Sequence, residues 1–65
     1  MELRDVRKHY GKIVIHNGIR YRLDKCIEIP DGNGYRYSLE LHDLHAVSVV
    51  VAKIEDVEIE RKKEE

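Results

Sequence analysis

The chain predicts an all-β domain, a small antiparallel barrel or roll of five to six strands. Three observations carry that expectation. Asn17-Gly18 separates two runs rich in β-branched and aromatic residues, and an Asn-Gly pair is the strongest short-range signal for a two-residue hairpin turn. Residues 35–42 alternate strictly, with Tyr35, Tyr37, Leu39 and Leu41 on one side and Arg36, Ser38, Glu40 and His42 on the other. Turn formers recur at short intervals and no long helical stripe interrupts them.

Taken in order, residues 1–10 admit two readings. Leu3, Val6 and Tyr10 fit a short helical stripe, and Val6-Arg7-Lys8-His9-Tyr10 fits a strand leading into Gly11; the strand is favoured. A two-residue turn at Asn17-Gly18 then pairs His16 with Ile19, Ile15 with Arg20, Val14 with Tyr21 and Ile13 with Arg22. One face carries Val14, Ile19, Tyr21 and Leu23 toward a core, and the other sets Ile13 and Ile15 among Arg20 and Arg22. Asp24-Lys25 reads as a turn before a strand over residues 26–29. Pro30-Asp31-Gly32-Asn33-Gly34 concentrates turn formers. After the alternating strand, His42-Asp43-Leu44-His45 breaks the period, and the β-branched run over residues 46–52 reads as the central strand. A last short strand runs through Ile54, Val57 and Ile59. The domain is expected over residues 1–60, with 61–65 a charged, frayed tail. The expected core is Val14, Ile19, Tyr21, Leu23, Ile27, Tyr35, Tyr37, Leu39, Leu44, Val47, Val49 and Val51.

Sixty-five residues make one domain, and one this small buries only about 60% of its unfolded surface. A single cysteine, Cys26, excludes an internal disulfide and points to a reducing, cytoplasmic setting. No export signal or membrane-length apolar run is present. Twelve basic and thirteen acidic side chains leave a formal net charge of −1, which argues against a strong electrostatic binder of nucleic acid. The balance is uneven: residues 1–25 hold seven basic and three acidic side chains, residues 26–65 five and ten. Arg7, Lys8, Lys12, Arg20 and Arg22 are the candidate nucleic-acid contacts, with Tyr10 nearby as an aromatic. Such a cluster tracks phosphates without reading bases, because no recognition helix accompanies it.

Catalysis is not expected. A chain this short rarely encloses a substrate pocket, and Cys26, with His42 or His45 as a conceivable base, lies in an apolar alternating stretch where a thiol packs as a small hydrophobe. His42 and His45, three apart, form half a metal site, which Asp43, His9, His16 or Cys26 would have to complete. Turn polarity accounts for them more simply, so neither a metal nor a cofactor is expected. Gly32-Asn33-Gly34 opens a strand and therefore lacks the helix that a phosphate loop requires.

Two segments together resemble the small β-barrel that follows the catalytic core in Mu-type and related integrase-like transposases. Gly11 to Leu23 is similar to that family's strand, Asn-Gly-Ile-Arg-Tyr turn and return strand. Asp43-Leu44, followed by Val47 and Val49, is similar to its Asp-Leu-x-x-Val-x-Val ending. The segments cover under half the chain, and Ser38-Leu39-Glu40-Leu41 stands where the family carries a basic residue and an Asp-Pro. The resemblance implies an SH3-like barrel with a non-catalytic role in DNA transposition or integration. Its partners would be duplex DNA bound without sequence preference, a transposase catalytic domain or another protein. The alternative is a free-standing bacterial or phage interaction module, with no nucleic-acid role, that uses an exposed strand or the Ile13/Ile15 face. A third reading, prompted by the terminal Ile54 to Ile59 strand, is an Sm-like ring subunit. No membrane partner is expected, and the sequence leaves the oligomeric state open.

Overall fold

Two tight turns set the register of the sheet. The computed structural model describes residues 1–60, and the expected tail over 61–65 lies outside them. Asn17 and Gly18 take φ values of 53° and 76°, the positive pair of a type I′ turn. They join β1 (Ile13–His16) to β2 (Ile19–Asp31), and all four predicted pairs form, from His16↔Ile19 to Ile13↔Arg22. Gly32 has φ 64° and Asn33 stays negative, the pattern of a type II′ turn. That turn joins β2 to β3 (Gly34–Asp43), with Asp31 opposite Gly34.

β4 (Val49–Lys53) pairs with β3, and β5 (Glu58–Ile59) pairs with β1, giving one antiparallel sheet in the order β4-β3-β2-β1-β5. The central strand is therefore β2, and the valine-rich run expected at the centre forms the edge strand β4. The turn expected at Asp24-Lys25 is instead a β-bulge. Leu23 pairs with Leu41 and Lys25 with Glu40, leaving Asp24 as the extra residue. The ladder continues beyond it, so the strand expected over 26–29 is the second half of β2. Pro30 and Asp31 also belong to β2; Pro30 sits where the ribbon has no further neighbour, a position that tolerates a missing N–H.

A 3-10 turn, Ile54–Asp56, carries the chain from β4 to β5. These strands are the opposite edges of the sheet, which would lie about 19 Å apart if it were flat. Three residues at about 2 Å rise plus two extended steps span about 13 Å. The sheet must therefore curl, but among the described residues no ladder joins β4 to β5, so the expected barrel is not closed.

The inside of the curl is the core: Val6, Val14, Tyr21, Leu23, Leu39, Leu41, Ala52 and Val57. Val6 comes from α1 (Leu3–Val6), where the sequence favoured a strand. Only Val6 of this segment is buried, and Leu3 stays exposed, so the helical turn serves to bring that one side chain to the core. The Met1 nitrogen donates to the carbonyls of Val57 (2.8 Å) and Ile54 (3.2 Å), tying this segment to the crossover. Five expected core residues other than Leu44 prove exposed: Ile19, Tyr35, Val47, Val49 and Val51; Leu44 is exposed too, and Ile27 and Tyr37 are half-buried. Leu44 and Val47 fall in the bend before β4, while Val49 and Val51 point outward from an edge strand.

A domain of this size is held by about 3–10 kcal/mol. Leu39→Ala, which empties a fully buried position, is expected to cost about 2–5 kcal/mol, and Val47→Ala less than about 0.5 kcal/mol. Urea unfolding followed by circular dichroism measures both, and equal effects would contradict this core.

Candidate functional site

The core fills much of the inner face, and the outer face carries a mixture of charged and apolar side chains. Cross-strand register arranges that face in rows: Ile13, Arg22, His42 and Val49; Lys25, Glu40 and Val51; Ile27, Ser38 and Lys53. Val49 and Val51 are 49% and 58% exposed. They stand beside the outer edge of β4, which has no strand partner among the described residues.

The bulge shapes the middle of this face. In a regular ladder Asp24 would follow the inward Leu23 outward and Lys25 would turn inward. The extra residue lets both point outward and returns Cys26 to the inner side opposite Leu39. Asp24 Oδ2 thereby lies 3.2 Å from His42 Nε2, and Glu40 Oε1 lies 4.0 Å from the same nitrogen. All three side chains are partly exposed. Sequence reasoning singled out His42 but not Asp24 or Glu40. The signal was Asp24-Lys25 interrupting an alternating run, which reads as a turn until the ladder is seen to continue.

The other histidines have local roles. His9 Nδ1–H donates to the Asp5 carbonyl at 2.7 Å and His16 Nδ1–H to the Asp56 carbonyl at 3.1 Å. His45 is exposed, and its backbone N–H is held by Asp43 Oδ1 at 2.8 Å, a side-chain turn of the expected kind.

The five candidate basic contacts do not share one environment. Arg20 forks onto Glu60, with Nε to Oε2 at 2.7 Å and a second nitrogen 3.2 Å from Oε1. Beside it, a hollow of about 640 Å³ is lined by Glu55, Asp56 and Glu58 together with His16, so this end of the sheet is acidic. Arg22 stands on the outer face in the His42 row. Arg7 lines a cleft on the side that α1 covers, and Lys12 a hollow with His9, Ile13 and Glu60. Lys8 is exposed in the turn after α1.

Cys26 lies in the same cleft as Arg7, about 390 Å³ in volume and lined also by Tyr10, Glu28 and Tyr37. The outer-face His42 is thus separated from it by the sheet. Burial and then the Glu28 carboxylate push the Cys26 thiol up from its usual range, which keeps it protonated at neutral pH. Among the described residues no helix is long and apolar enough to cross a membrane.

Compared with known proteins, the chain matches no family model, and no characterised protein or solved structure is significantly similar to it. The likeness to the transposase barrel rests on the residues quoted for it.

Cys26 is expected to react with iodoacetamide at pH 7.5 more slowly than free cysteine, since less of it is thiolate. Mass spectrometry against a cysteine peptide checks this; faster labelling would mean an activated thiol.

Proposed function

We propose that this chain is a non-catalytic interaction module that assembles by adding a strand to the free edge of β4, and that the added strand is β4 of a second copy. The observation that carries the reading is the outward placement of Val49 and Val51 beside that edge. Exposed edges are ordinarily blunted by Pro, bulges or inward-pointing charge, and Val49–Lys53 offers none of these before Lys53.

The strand is self-complementary. Paired antiparallel about Val51, it sets Val51 against Val51 of the other copy, Val50 against Ala52 and Val49 against Lys53. No like charges meet, and the stem of Lys53 covers the exposed Val49 while its ammonium reaches solvent. Apolar contacts of this kind contribute about 0.2–1 kcal/mol per cross-strand pair. Because Val50 and Ala52 face the core side, the same pairing continues the inner layer of both copies.

Analytical ultracentrifugation at high micromolar concentration is expected to find a dimer. Val51→Lys, which places two ammonium groups together on the symmetry axis, is expected to give a folded monomer by circular dichroism. A monomeric parent, or a dimer indifferent to Val51→Lys, overturns the reading.

A second reading, auxiliary contact with duplex DNA in support of a transposase-type assembly, draws on Arg7, Lys8, Lys12 and Arg22. These are exposed and form no ion pair with another described residue. The Arg20–Glu60 pair and its acidic surroundings weigh against Arg20 joining them. If this reading holds, electrophoretic mobility shifts at low salt find weak binding that Arg22→Glu reduces; no shift at low salt removes it.

A further inference from the structure

We propose that Asp24, Glu40 and His42 form a binding site for a first-row divalent transition ion of the Zn2+ type. The oxygen and nitrogen atoms that these three side chains offer all lie within 4.8 Å of one another. Tetrahedral coordination with bonds of about 2.0–2.1 Å sets ligand atoms about 3.3 Å apart. The His42–Asp24 separation of 3.2 Å already matches, and the His42–Glu40 separation of 4.0 Å requires less than an ångström of movement in half-exposed side chains.

The donor set selects the ion. One imidazole with two carboxylates suits Zn2+, Co2+ or Mn2+, whereas Ca2+ and Mg2+ favour oxygen ligands throughout. With three protein ligands, the remaining coordination positions face solvent and are open to water or to a further donor. The side chains stand on two paired strands and not on a loop, which holds their separations. Asp24 follows the inward Leu23 on the outer face, and the bulge leaves it unpaired beside His42 while Lys25 takes the place opposite Glu40. No sequence spacing announces the site, because positions 24, 40 and 42 converge only through ladder register.

The rim limits affinity. Arg22 sits opposite His42 and Lys25 opposite Glu40, and each places a cation beside the one to be bound. Neither forms an ion pair with the three ligands among the described residues. Removing the Lys25 charge is therefore expected to tighten binding, an effect with no counterpart if the cluster is merely a hydrogen-bonded patch.

The experiment is titration of the full chain with Zn2+ by calorimetry and with Co2+ by visible absorption. One ion per chain is expected, with intense d–d bands marking tetrahedral Co2+. Asp24→Asn and His42→Gln are each expected to weaken binding by at least about tenfold, Lys25→Gln to strengthen it, and His45→Gln, at an exposed histidine outside the site, to leave it unchanged. Absence of saturable binding overturns the proposal, as does equal loss in His45→Gln and His42→Gln, which would signify adventitious capture by surface imidazoles. Should Asp24→Asn unfold the chain, Lys25→Gln still decides: unaltered or weakened binding there counts against the site.

Discussion

The constraint on which the rest of the molecule depends is the shortness of the crossover from β4 to β5. Strands at opposite edges of a five-stranded sheet are joined by Ile54–Asp56 and Val57, too few residues to span a flat sheet. The sheet curls, and the curl separates an inner face that Val14, Leu23, Leu39, Leu41 and Val57 fill from an outer face turned to solvent. Apolar burial then stabilises the curl that the linker imposes. Val57, at the end of the crossover and fully buried, belongs to both effects.

The same geometry explains the open hollows among the described residues. In so small a roll the interior is occupied by side chains, α1 caps it with Val6, and the hollows that remain are open to solvent. Chemistry is accordingly left to groups that the sheet holds side by side. The bulge at Asp24 matters for this reason: it shifts the phase of the distal half of β2, setting Cys26 inward and Ile27 outward, and adds Lys25 to the outer patch of Asp24, Glu40 and His42.

Local chemistry made much of the fold legible in the sequence. Asn17-Gly18 specified the first hairpin residue by residue, and the alternation of residues 35–42 specified the faces of β3. What remained hidden depends on contacts remote in sequence. The valine-rich run resembled a central strand because β-branched composition marks strands without saying which have two neighbours; the order of the sheet makes it an edge. Asp24-Lys25 resembled a turn because a bulge and a turn break alternation alike. α1 was ambiguous because four helical residues carry little periodicity, and its position follows from Val6 reaching the core. The candidate site was half legible, through His42 alone, since its carboxylate partners arrive by register.

Methyl-resolved nuclear Overhauser spectroscopy on the isolated chain tests the curl most directly. Cross-peaks linking Val57 to Val14 of β1 and also to Leu39 or Ala52 of β3 and β4 are predicted, because only a rolled sheet brings both sides of the molecule around one valine. Contacts from Val57 confined to its chain neighbours and β1 would contradict it, and with it the division into a filled interior and an exposed outer face.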